Sequence, residues 1–214
     1  PYDIWVADDG STDNTVETVD EFINSLPKDD REIIKVYQGR LTVGRGEVLH
    51  NAFQRADGEV ICFMDADLST DLRHLPKLLK EIDEGFDVAT GSRWMPESKV
   101  ERSILRALIS HAYNRLLQLS FKSKIRDHQC GFKSFRRDKL FKLLEETGVR
   151  KYRRWAWDAE LLIRSQLNGY RISEFPVNWK TEGKSSFKYL RDIMDISFYL
   201  ISLHFRLKQE KKSF

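Results

Sequence analysis

Cysteine is scarce in this chain: Cys62 and Cys130 are the two in 214 residues, far apart and outside any CxxC spacing. That excludes a disulfide scaffold and a cysteine-ligated zinc site, and it makes a reducing compartment the default expectation. Five prolines and eleven glycines are too few for a collagen-like or linker-dominated chain. No charged-then-apolar leader opens the sequence, so secretion is not signalled. Long apolar runs are missing as well. The longest uncharged stretch of the tail, Ile196 to Phe205, is ten residues, whereas a bilayer span takes ~20. What is present, 41% hydrophobic and 32% charged residues, is the mixture of an ordinary globular domain with material for a sizeable core. The length suits one generous domain, or one domain with an appendage.

The net charge of +3 conceals an asymmetry. Residues 101–154 hold fifteen Lys/Arg against five Asp/Glu, a local +10, and the remainder is −7. A basic middle on a mildly acidic body points to an anionic partner: nucleic acid, phospholipid headgroups or a phosphorylated substrate. A solvated basic face is the plainer alternative. The aromatic-basic strand pattern of an RRM is lacking, so nucleic acid is not the expected partner.

Apolar runs and breaks alternate along the first half. Ile4–Ala7 reads as a strand ending in acids, a glycine and hydroxyls, and Ser11 or Asp13 can cap a helix carrying Val16, Val19, Phe22, Ile23 and Leu26. Further strands are expected at Ile33–Tyr37, Val60–Met64 and in FDVATGSR. Helices are expected in GRGEVLHNAFQRADG and over 72–84. This rhythm predicts an α/β fold, a Rossmann-like, mostly parallel sheet flanked by helices. The second half is less regular: a helix over 101–119, a strand and turn in CGFKSFRRDKL, a helix in WAWDAELLIRSQLNG and a final strand in RISEFPVNW. The tail, 189–214, has the spacing of an amphipathic basic helix, suited to a membrane interface or to packing on its own domain.

Asp65-Ala66-Asp67 follows an apolar strand. In an open parallel sheet ligands gather beyond that edge, and two carboxylates one residue apart can share a hard cation, Mg2+ or Mn2+, that also takes phosphate oxygens. Helix capping by Asp67 is the plainer alternative. Asp8 and Asp9 end the first strand in the same way and can accept hydrogen bonds from a nucleoside or cap a helix. Arg45, between Gly44 and Gly46 before a helix, can meet phosphate, and so can the fork of Arg93. Asp158 and Glu160 are two apart on a helix and do not share a face, so at most one should point into a site.

Taken together, VADDGSTDNT, GRG, DADLSTD, GSR, DHQCGFKSF, RWAWDAELL and FPVNW resemble, in order, the family-2 glycosyltransferases of the GT-A fold. QCGFK and WAWDAELL are most similar to the dolichyl-phosphate glucose synthase branch, with the mannose synthases next. The resemblance covers about residues 2–188, and the expected catalytic domain is 1–188. It lacks the family's usual opening strand of the VIPAYNE type. It implies an inverting hexosyl transfer from a nucleotide-sugar donor to a polyprenyl-phosphate acceptor such as dolichyl phosphate, at the cytoplasmic face of a membrane. By position, Asp65 and Asp67 would hold metal and diphosphate, Asp8 and Asp9 would touch the nucleoside with Arg45 nearby, and Arg93 would meet phosphate.

A phosphate monoester has a second pKa of ~6 and arrives largely ionised, so such an acceptor needs no protein base. Arg102, Arg106, Lys122, Lys124 and Arg126 are then expected to draw in the acceptor phosphate and anionic lipid. Asp127 is expected to orient acceptor or donor sugar, and Asp158 is the base if the acceptor is a hydroxyl of a glycolipid or polysaccharide. A non-catalytic, membrane-associated binding module is the alternative from another class.

Overall fold

A computed structural model describes residues 1–39, 44–147, 157–180 and 189–210. Trp155, the cations from Arg150 to Arg154, the expected domain boundary at 188, and Lys211 and Lys212 lie outside the described residues. In chain order the elements begin with β1 (Ile4–Asp8), α1 (Thr15–Ser25), α2 (Lys28–Arg31), β2 (Ile34–Gln38), α3 (Arg45–Phe53) and β3 (Val60–Met64). A single 3-10 turn at Leu72–His74 leads into α4 (Leu75–Asp83), followed by β4 (Val88–Ser92), β5 (Lys99–Glu101) and α5 (Ile104–Phe121). The second half continues with β6 (Phe132–Arg136), α6 (Arg137–Thr147), α7 (Trp157–Leu167), β7 (Ile172–Pro176), β8 (Asn178–Lys180) and α8 (Tyr189–Glu210).

The strands divide among three hydrogen-bonded sheets: β1-β2, β3-β6-β4-β7 and β5-β8. Pairings β1–β2, β4–β7 and β5–β8 are parallel, whereas β6 runs antiparallel to both β3 and β4. The four-stranded sheet is covered on both faces. Period-two alternation sends Ile61 and Phe63 of β3 to one side, where they meet Phe53, Phe135, Leu140, Trp157 and Leu161 from α3, β6, α6 and α7. Val60, Cys62 and Met64 face the other side, against Leu78 and Ile82 of α4 and Phe175. Every residue of β4 is buried, as expected of a strand with neighbours on both edges and helices on both faces.

Several expected elements are subdivided. Helix 72–84 begins as a 3-10 turn, with Asp71 accepting from Arg73 N, and turns α-helical at Leu75, where Pro76 sits in the first turn. RISEFPVNW becomes two strands separated at Val177. The turn foreseen in RRDKL is a helix, α6, into which β6 runs without a break. The described tail forms α8, whose Tyr199, Leu200, Leu203 and Leu207 pack with Tyr113 and Leu117 of α5 and with Ala159 and Ile163 of α7. Among the described residues no helix is long and apolar enough to cross a membrane.

Candidate active site

Strand β3, buried at alternate residues, delivers Asp65 at its carboxyl end, where Asp65 N donates to Gly131 O at 3.0 Å just ahead of β6. A turn closes at once, with Leu68 N donating to Asp65 O at 3.1 Å. Leu68 itself has φ 51°. The left-handed region costs a bulky residue about 1–2 kcal/mol, so the segment after the acid pair is held by its surroundings rather than by local preference. Those surroundings are visible. Asp67 Oδ1 accepts from Ser69 N at 3.0 Å, Ser69 O accepts from Lys180 N at 2.8 Å, and Thr70 bridges to Trp179 of β8.

The Asp65 carboxylate lies directly over Gly131, where an added Cβ would overlap it. Arg45 Nη2 stands 2.8 Å from Asp65 Oδ1. Burial pushes the Asp65 carboxyl above its ordinary range; Arg45 pulls it back, and the charges of Asp158 and Asp67 push it up again. Asp158, from the first turn of α7, accepts at Oδ2 from Lys133 Nζ at 3.1 Å; that fully buried ammonium also donates to the carbonyls of His128 and Cys130. One corner of the fold therefore gathers Asp65, Asp67, Asp158, Arg45 and Lys133.

Asp8 and Asp9 hold backbone. Asp8, 6% exposed, accepts from Gly10 N, Ser11 N and the Ser11 hydroxyl, forming the DGS turn. Asp9 accepts from Gly44 N at 2.8 and 3.0 Å. Gly44 has φ 101° and precedes α3, so Asp9 fixes the start of the helix that carries Arg45. Gly46 is needed for closeness, because a Cβ there would lie 2.8 Å from the Trp157 ring.

Arg93, at the end of β4, is 8% exposed and forks onto Asp127: Nε to Oδ2 at 2.7 Å, Nη2 to Oδ1 at 2.8 Å. Burial alone would raise the Asp127 carboxyl, but the Arg93 charge and hydrogen bonds outweigh it and hold the pKa at about 2. Arg93 also lies 5.4 Å from the Trp179 ring, and Arg102 stands 5.4 Å from Trp179 and 5.6 Å from Trp94. Cations and indoles thus alternate along the wall next to the Asp65 loop. Arg102 Nη2 donates to the carbonyl of Arg106. Lys122, Lys124 and Arg126 are exposed beyond the end of α5, where the amides of Lys124 and Arg126 are tied to Gln166 and Glu174. Beside Asp127, His128 is buried between Ser123 and Asn114, and burial lowers its pKa to about 4, so the imidazole is neutral.

Helix α7 separates its two acids as their spacing requires. Asp158 faces the Asp65 corner, while Glu160, fully buried, takes Arg164, Arg206 and the Tyr199 hydroxyl and so anchors α8. Sequence reasoning missed Lys133, Gly131 and Trp179. Lys133 had a signal: a lysine inside an apolar strand demands a buried partner. Gly131 and Trp179 had none, since their importance is a matter of contact alone.

The sequence profile of glycosyl transferase family 2 matches residues 1–144. The chain belongs to that family. Glycosyltransferase AglD of Haloferax volcanii is 38% identical over 207 residues, 96% of this chain and 32% of that protein. Human dolichyl-phosphate beta-glucosyltransferase is 29% identical over 226 residues, 99% of this chain and 68% of that protein. The chain thus spans about a third of the first relative, and it spans 61% of the Trichomonas vaginalis glucosyltransferase ALG5C. Among solved structures, glucosyl-3-phosphoglycerate synthase of Mycobacterium tuberculosis, crystallised with Mn2+, UDP and phosphoglyceric acid, matches with a TM-score of 0.63 at 17% identity, over 95% of this chain and 67% of that one. The fold is the mixed α/β fold of the GT-A glycosyltransferases.

Among the described residues no group of three or more His, Cys, Asp or Glu is arranged to hold a metal ion. Asp65 and Asp67 nonetheless fit the manner in which Mg2+ is usually taken, by one or two carboxylates with water and substrate phosphate supplying the rest. The repulsion that Asp67 and Asp158 exert on Asp65 is what a cation would relieve.

Proposed function

We propose that this chain catalyses inverting transfer of a hexose from a nucleotide sugar to a polyprenyl phosphate at a membrane surface. The observation that carries the reading is the Arg45–Asp65 contact beside Asp67, at the carboxyl end of strand β3. Arg45 there lies within reach of an arriving diphosphate, and the two carboxylates supply hard oxygen donors. A divalent cation held by Asp65 and Asp67 would neutralise charge on the departing nucleoside diphosphate. Asp8 and Asp9 shape the nucleoside end through the turns they hold. Arg93, its fork taken by Asp127, holds the wall beside Trp179 in place rather than meeting phosphate with a free guanidinium. Arg102, on its two indole faces, is oriented towards an acceptor phosphate. The acceptor brings its own anionic oxygen, so no proton has to be removed by the protein.

A hydroxyl acceptor is the second reading, favoured by the placement of Asp158 in the Asp65 corner. Incubating the chain with Mn2+, UDP-glucose and a short polyprenyl phosphate separates the two. Transfer into the lipid-phosphate product is expected, and Asp67→Ala should lower it about a hundredfold or more with the thermal midpoint unchanged. Equal transfer to the corresponding polyprenol, abolished by Asp158→Asn, would replace the first reading by the second.

A further inference from the structure

The inner face of α5 is accounted for, but its outer face is not. Inward, Ser110, Tyr113, Asn114 and Leu117 are buried. Outward stand Ile104, Leu105, Leu108, Leu116 and Leu119, exposed by 80, 59, 62, 46 and 68%. These residues occupy the side of the helix opposite the buried set, over nearly its whole length. Charge on the same stretch is of one sign. From residue 102 to 126 the sequence holds Arg102, Arg106, Arg115, Lys122, Lys124 and Arg126 and not one carboxylate.

We infer that α5 is a membrane-docking helix, which lays its outward leucines into the interface of an anionic bilayer while the flanking cations meet the headgroups. An apolar stripe whose charged companions from 102 to 126 are all cations is complementary to such a surface, where acyl chains lie beneath negative headgroups. The placement also has a use. Arg102 lies two residues ahead of α5 and stands against Trp94 and Trp179, and Trp179 is bridged to Thr70 in the loop after Asp67. A helix lying in the interface therefore brings the headgroup layer to the wall of the candidate site. Helix α8 shows a second outward stripe, Met194, Phe198, Ile201 and Phe205, at a spacing of four, three and four residues. Its inward face shares an apolar cluster with that of α5. The inference rests on the membrane-surface part of the proposed function and is independent of the sugar and of the acceptor.

Cosedimentation with vesicles tests it, using phosphatidylcholine alone and phosphatidylcholine with about a third phosphatidylserine. The chain is expected to bind the anionic vesicles, and Leu105→Gln/Leu108→Gln should weaken that binding about tenfold. The melting curve and the binding of UDP with Mn2+ should be unaffected, since neither side chain is buried. Phe198→Gln/Ile201→Gln on α8 serves as the comparison. If the α5 variant sediments like the parent, or only the α8 variant loses binding, the inference falls. It falls equally if the parent ignores vesicles and light scattering shows a dimer that the α5 variant dissociates, because the stripe is then covered by a second copy. Vesicle binding that depends on α5, in a chain that transfers no sugar to polyprenyl phosphate, would overturn the proposed function and leave this inference standing.

Discussion

The amino-terminal layer and the central sheet use the same alternation of strand and helix, yet they hold their acids in different ways. In the layer of β1, α1 and β2, no residue of α1 is buried and the strands are half-buried. Its acids, Asp8 and Asp9, are neutralised by backbone amides close at hand. In the central sheet and its helices, by contrast, β4 is wholly buried and α7 buries every residue from Trp157 to Ser165. There three buried carboxylates meet buried cations, Asp127 with Arg93, Asp158 with Lys133 and Glu160 with Arg164, while Glu81 of α4 is held by the exposed Lys77 and by Ser173. The surroundings of the acid decide the device, since Asp8 and Asp158 are both 6% exposed. An acid at a turn can share its charge with the turn's own amides, whereas one packed between sheet and helix requires a full opposite charge.

The largest effect is expected where that pairing is broken. Asp127→Asn leaves Arg93 buried without its counter-charge and should cost about 3–5 kcal/mol, measured by denaturant unfolding. The same pair sets an acid limb. A carboxyl held at about 2 when folded, against ~3.9 unfolded, adds stability that is complete above the unfolded value and is lost as pH falls towards 2. The parent should therefore lose stability more steeply below pH ~4 than the Asn variant; parallel acid limbs would contradict the assignment. Next in size is Gly131→Ala. Its Cβ must displace the Asp65 carboxylate, and a misplacement of that kind costs about a hundredfold in kcat. Retained turnover would mean that the position of Asp65 does not matter. The smallest effect belongs to the amino-terminal layer. Asp8→Ala releases two amides that water can partly re-solvate, for a loss of about 1–2 kcal/mol in unfolding free energy. A loss as large as that of Asp127→Asn would erase the contrast between the two regions.

Much of this could be read in the sequence because it is local. The runs Ile4–Ala7, Val60–Met64 and FDVATGSR announce strands, and the acids that follow them announce an edge. The two-residue spacing of Asp158 and Glu160 foretold that they would part. Long-range matters could not be read. Lys133 finds Asp158 25 positions along the chain, and no periodicity records such a pairing. Helix α6 escaped notice because Arg136 leads into Arg137 with no glycine, proline or asparagine to mark the change from strand. Arg93 reads as an arginine at a strand end, but the carboxylate that claims its fork comes from a loop 34 residues away.

Asp158 and Glu160 project in different directions from one buried helix, and this makes α7 intolerant of slippage. Inserting a single residue between Asp158 and Glu160 would rotate one acid by about 100° relative to the other. With Asp158 held in the Asp65 corner by Lys133, Glu160 would then swing away from Arg206 and Tyr199 of the tail helix. Sequences that keep this architecture should therefore preserve the two-residue spacing of these acids more strictly than the identity of the apolar residues around them.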